Sequence, residues 1–253
     1  MSPEVARVVA LGASNLTRGL PALVAAARAA WGPEVQILAA LGHGRSYGAR
    51  SRVGVRTLPG ILESGLWRAL ESLPACPTRA VVADVGNDIL YGEPPGMILD
   101  WVDESLRRLR QATRDVVLTG LPLERIRRLT APQFLVFRSI FFPCCRLSFD
   151  QALERAMRVC AGLVDLATAR GARLFHPDPL WYGVDPIHIR PSLLRTAWPE
   201  ILGIPFAVGA KLSMLEELKL RCMPPERRWL LGMEQRRLQT GRGLPSGGQV
   251  WLF

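Results

Sequence analysis

Short, nearly unbroken apolar runs recur along the chain, and longer stretches with apolar positions every third or fourth residue lie between them. The runs are Val5–Leu11 (VARVVAL), Val35–Leu41 (VQILAAL), Ala80–Val85 (AVVADV), Asp115–Leu121 (DVVLTGL) and Ala172–His176 (ARLFH). Their length predicts strands, and their continuity predicts strands covered on both faces. Between them, Met97–Thr113 places Ile98, Trp101, Val102, Leu106 and Leu109 on one helical face. Its acids (Asp100, Asp103, Glu104) come early and its arginines (Arg107, Arg108, Arg110) late, as a helix dipole favours. Gln151–Arg170 repeats the helical pattern, and Gly171 supplies a stop. Alternating strands and helices predict a three-layer α/β/α sandwich around a parallel, flavodoxin-like sheet of about five strands.

Two segments lack a clean period. Residues 123–149 (LERIRRLTAPQFLVFRSIFFPCCRLSF) read either as a long loop with a short helix or as an apolar surface element. Beyond Ala210 the composition becomes basic, with eight basic and four acidic residues in 211–253. The expected division is a domain over 1–210 and a partly helical extension over 211–253. The Gly-rich end of that extension, from Thr240, is expected to be flexible and dispensable.

Composition narrows the function classes. Hydrophobic residues at 49% and charged residues at 21% describe an ordinary globular chain. The net charge is +10, and only Lys211 and Lys219 of the 32 basic side chains are lysines. Such an excess suits acidic partners or membrane surfaces. The arginines are scattered without a stacking motif, so nucleic acid is not an expected partner. Five cysteines show no CxxC spacing, which predicts reduced structural thiols and no zinc site. No run is long enough for a membrane span, and the start lacks a signal-peptide pattern, so the expected location is cytoplasmic. The oligomeric state is left open.

The segments that follow the strands carry the chemistry. In a doubly wound sheet such segments gather at one edge. The first run ends in "LGASN", where Ser14 reads as a helix cap, a phosphate ligand or a nucleophile. The second ends in "GHGRSYG", which is G-x-G-x-x-x-G and not the dinucleotide fingerprint. The third ends in "VGNDIL", and a late loop carries "DPIHIRP". A serine hydroxyl needs a base, histidine suits that role, a carboxylate fixes its tautomer, and a developing oxyanion needs N–H donors. Ser14, His188, Asp185, Gly44 and Asn87 supply these groups, with Asp178 as the weaker alternative to Asp185. Asp84 and Asp88 read as ties between loops. His43, Tyr47, Tyr91, Trp181 and Tyr182 are candidate pocket residues, and His176 reads as structural.

Taken in order, the four blocks resemble the SGNH/GDSL hydrolase superfamily over residues 5–191. The resemblance implies Ser14 as nucleophile, His188 as base and Asp185 as its orienting acid. It implies an oxyanion hole from the N–H groups of Ser14 and Gly44 and the Asn87 amide. It also implies hydrolysis of an ester through an acyl-enzyme, with no metal or organic cofactor. Lipid, glycan, thioester and small-molecule esters all remain open as substrates. An acyltransferase with the same residues and a silent SGNH-like binding module are the alternatives. The family's Asp before the serine is Ala13 here, which argues against the narrow lipase branch.

Overall fold

The computed structural model describes residues 6–253, so Val5 of the first apolar run lies outside the described residues. In chain order the elements begin with β1 (Arg7–Leu11), α1 (Ser14–Trp31), β2 (Gln36–Ala40), β3 (Ser51–Val53), β4 (Arg56–Leu58), α2 (Leu66–Ser72) and β5 (Thr78–Val82). They continue with α3 (Asn87–Leu90), α4 (Pro95–Ala112), β6 (Asp115–Thr119), α5 (Leu123–Arg127), α6 (Ala131–Phe141), α7 (Phe149–Arg170) and β7 (Arg173–Phe175). The last are α8 (Leu194–Leu202), α9 (Met214–Cys222), β8 (Arg227–Leu230), β9 (Met233–Arg236), β10 (Arg242–Gly243) and β11 (Gln249–Leu252).

The five expected strands form the centre of the main sheet, in the order β2-β1-β5-β6-β7 and all parallel. Successive side chains on each strand point to opposite faces. Val8, Ala10, Ile37, Ala39, Val81 and Val117 meet α1 and α8 on one side. Val9, Leu11, Leu38, Ala40, Val82 and Leu118 meet α2, α4 and α7 on the other. This double covering is why the runs lack strand-like alternation. On the first side, α1 and α8 approach closely at Gly19, where an added Cβ would fall 1.6 Å from the Trp198 indole nitrogen.

The main sheet has seven strands, because the tail adds two. β11 lies parallel to β2, and β10 pairs antiparallel with β11. The expectation of a flexible end is therefore overturned. Val250 and Leu252 enter one core, Trp251 and Phe253 the other, and all four are buried. The physical reason is tertiary: β2 offers an open edge, and a four-residue strand with three apolar side chains repays its own ordering only when that edge is present. The rest of the extension is equally integrated. β8 and β9 complete a four-stranded antiparallel sheet with the β3–β4 hairpin. Glu216, fully buried at the start of α9, accepts hydrogen bonds from Arg28 of α1 (2.8 Å) and the Ser246 N–H (3.1 Å). Residues 123–149, which lacked a period, form the short helices α5 and α6 and the turn into α7.

Candidate active site

Ser14 is the first residue of α1, not its cap. The N-cap position is Ala13, whose side chain offers no oxygen, and the capping acceptor comes from the loop after β5. The Asp84 carboxylate takes the N–H groups of Ala13 (2.8 Å) and Leu16 (3.1 Å). An anion there also suits the positive end of an 18-residue helix. Asp84 itself sits at φ +61°, a left-handed conformation that aspartate tolerates better than most residues. With its helix end capped from outside, Ser14 keeps its hydroxyl free for another partner.

That partner is His188. Its Nε2 lies 2.9 Å from Ser14 Oγ, and its Nδ1 lies 2.6 Å from Asp185 Oδ2. The Asp185 Oδ1 accepts the N–H groups of Ile187 (3.1 Å) and His188 (3.2 Å), so the carboxylate folds the loop that carries the imidazole. Burial pushes the Asp185 pKa up, but hydrogen bonds from His188 and the loop N–H groups outweigh it and hold the carboxyl below its ordinary value. Ser14 and His188 are both buried. Asp178 plays a different part, since its Oδ1 accepts the Leu180 N–H at 2.8 Å and caps a short turn.

Asn15 was not singled out in the sequence, yet it fastens the two halves of this row together. Its amide donates to Asp84 Oδ1 (2.8 Å) and the Ile187 carbonyl (2.9 Å), while its Oδ1 accepts the Ile189 N–H (2.8 Å). Its only sequence signal was adjacency to Ser14 in "GASN".

The loop after β2 packs against the loop after β5. The Asn87 amide donates to the Arg45 carbonyl (3.4 Å), and Asp88 Oδ2 accepts the Tyr47 N–H (3.0 Å). Burial raises the Asp88 pKa from 3.8 to about 6, with the Ser46 hydroxyl and the Tyr47 N–H moderating the rise. Gly44 has φ +66°, and a Cβ there would lie 2.6 Å from a Val53 methyl and 2.9 Å from the Tyr91 hydroxyl. Only glycine meets both demands. Arg45, fully buried, donates to the carbonyls of Pro59 (3.1 Å), Leu41 (3.2 Å) and Phe253. Burial lowers its pKa to about 9. The loop bearing Gly44 is thus anchored to the end of β11, a link between residues 208 positions apart that no local pattern foretells.

A cavity of about 130 Å³ opens beside Ser14 and Asn87. Its walls are mostly apolar, with Leu90, Leu121, Phe134, Phe137, Phe141 and Leu153 among them. The Phe141 ring meets the His188 ring edge-on, with centroids 5.4 Å apart. Of the five candidate pocket residues only Tyr182 lines this cavity. Tyr47 is a core brace, fully buried with its hydroxyl on the Ala83 carbonyl (2.6 Å). Tyr91 braces the glycine loop through the Gly44 carbonyl (2.5 Å) and packs on Phe142. Trp181 stacks on Phe175 in the core. His43 points to the surface, and its pKa is held down by partial desolvation and by Arg56 and Arg18. Among the described residues no cluster of three His, Cys, Asp or Glu side chains is arranged to hold a metal.

No protein-family model and no curated protein matches the chain. Several solved structures are similar. One is the psychrotrophic esterase EstA from Pseudoalteromonas sp., 12% identical, TM-score 0.48, over 80% of this chain and 95% of its own. Another is a lipolytic G-D-S-L family protein from Veillonella parvula, 11% identical, TM-score 0.47, over 82% and 100%. AlinE4, an SGNH-hydrolase family esterase, is 19% identical, TM-score 0.43, over 67% and 75%. At these identities the likeness concerns the path of the chain, and what the site can do rests on its own side chains.

Proposed function

We propose that this protein is a serine hydrolase that cleaves esters through an acyl-enzyme. The observation that carries the reading is the continuous row Asp185–His188–Ser14, with separations of 2.6 and 2.9 Å. In this reading Asp185 holds the imidazole Nδ1–H, which leaves Nε2 as the base facing Ser14. His188 takes the hydroxyl proton as Ser14 Oγ attacks the ester carbonyl carbon. The oxyanion forms against the Ser14 N–H, which has no intrahelical acceptor at the first turn of α1, and against the Gly44 N–H and Asn87 amide. Collapse expels the alcohol, which recovers the proton from His188. Water then repeats the sequence on the acyl-enzyme and releases the acid.

Two features support this row over a merely structural one. The hydroxyl spends itself on the imidazole and not on capping α1, because Asp84 does the capping. The row also borders a cavity able to take an apolar group. The deciding experiment is labelling with a fluorophosphonate followed by peptide mapping. Modification at Ser14, prevented by His188→Ala, is the expected result. Failure to label the folded protein, or labelling elsewhere, would refute the reading.

A further inference from the structure

Helix α6 carries large apolar side chains on its outer as well as its inner face, with Gln133, Arg138 and Ser139 as its polar positions, yet it is not interior. Phe134, Phe137 and Phe141 line the cavity. Leu135, Val136 and Ile140 are 51%, 57% and 65% exposed. Three large apolar side chains grouped on one exposed face mark an interaction surface, so the outer face of α6 asks for a non-aqueous medium. A second exposed apolar residue, Val184 (86%), adjoins Gly183, whose carbonyl accepts a hydrogen bond from Arg125 of α5.

Charge identifies that medium. Residues 123–149 contain five arginines and a single acid, Glu124. Arg127 and Arg128 precede α6, Arg146 follows it, and all three are exposed. A symmetric pairing of two copies through this face would bring ten arginines together with only the two Glu124 carboxylates of the segment to balance them. A bilayer with anionic headgroups satisfies both the apolar face and the flanking cations.

We propose that α6 with its flanking arginines docks on an anionic phospholipid bilayer, so that an ester with an apolar acyl chain passes from the bilayer into the cavity beside Ser14. The delivery half of this proposal rests on the ester-hydrolase reading. The docking half does not.

The test is co-sedimentation of full-length protein carrying Ser14→Ala with vesicles of phosphatidylglycerol and phosphatidylcholine, against vesicles of phosphatidylcholine alone. We expect binding to the anionic vesicles about tenfold tighter or more, weakened by salt. Adding Val136→Glu and Ile140→Glu should weaken it by a further factor of about ten. The same pair should leave the melting temperature unchanged and, with Ser14 intact, the turnover of a short soluble ester. No vesicle binding, binding indifferent to the α6 substitutions, or a dimer that those substitutions dissolve would overturn the proposal. Vesicle binding by a folded wild-type protein that a fluorophosphonate does not label at Ser14 would support docking while refuting the hydrolase reading.

Discussion

Beneath the cavity, the segments that carry Ser14, Asn87 and His188 are fastened by five directional hydrogen bonds centred on Asp84 and Asn15, one of which joins those two side chains. Above it, α6 is held mainly by rings: Phe134 against Phe149 at 5.7 Å, and Phe141 against His188 at 5.4 Å. Its polar ties are a Thr130–Gln133 capping box and the Arg138 bond to the Leu147 carbonyl. Hydrogen bonds fix both distance and direction, whereas apolar contact excludes water without fixing a unique position. The floor is therefore built for alignment and the roof for enclosure. A change in the floor should damage turnover sharply, and a change in the roof should alter what reaches the floor.

The largest expected effect is at the centre of the floor. Ser14→Ala should reduce ester turnover by about 10⁶-fold with little change in melting temperature. A folded variant retaining turnover would dissolve the distinction between floor and roof. The next is structural. Deleting Gly241–Phe253 removes Val250, Trp251, Leu252 and Phe253 from the two cores, and a buried large apolar side chain contributes about 1.5–3 kcal/mol. The sum rivals a typical domain stability of roughly 5–15 kcal/mol. The truncated chain should lose its cooperative thermal transition by circular dichroism. An unchanged melt would show that β11 is an ornament.

Asn87→Ala comes third, with kcat falling about 10²–10³-fold and KM changing little. An effect confined to KM would move Asn87 from the reacting oxygen to ground-state binding. The smallest effect is a pH dependence. The folded Asp88 carboxyl has its pKa raised from 3.8 to about 6, so the folded state holds the proton more tightly than the unfolded state. Its contribution is full below the unfolded value and is lost as pH rises through about 6. Between these values stability should fall by about 3 kcal/mol, and Asp88→Asn should flatten that slope. Denaturant melts from pH 4 to 7 would check it. Identical slopes in the two proteins would remove Asp88 as the source.

The same contrast explains which features the sequence disclosed. The five central strands and the helices α4 and α7 were legible because continuous burial and helical periodicity leave local marks. Ser14, Asn87, Asp185 and His188 were legible because each follows a strand or sits in a short block with a chemical logic. The roof was not, since α6 is apolar on both faces and so has no period to read. Arg45 and β11 were hidden for a different reason. Their partners are distant in the chain, and three apolar residues in a short strand after a glycine-rich turn look the same whether docked or free. Three of the five candidate aromatic and histidine pocket residues (Tyr47, Tyr91, Trp181) proved to be braces, because a ring beside a motif packs behind it as readily as in front of it.

The pairing of β11 with β2 also sets an order of assembly. A chain made from its N-terminus has β2 early and β11 last, with more than two hundred residues synthesised between the partners. Until the final strand arrives, β2 is an exposed parallel edge and the glycine loop lacks its anchor through Arg45. Such a long-range closure is slow and leaves the nascent chain open to edge-to-edge aggregation. It also makes the site a late product of folding: a ribosome that stalls short of residue 249 leaves a chain whose main sheet lacks β11.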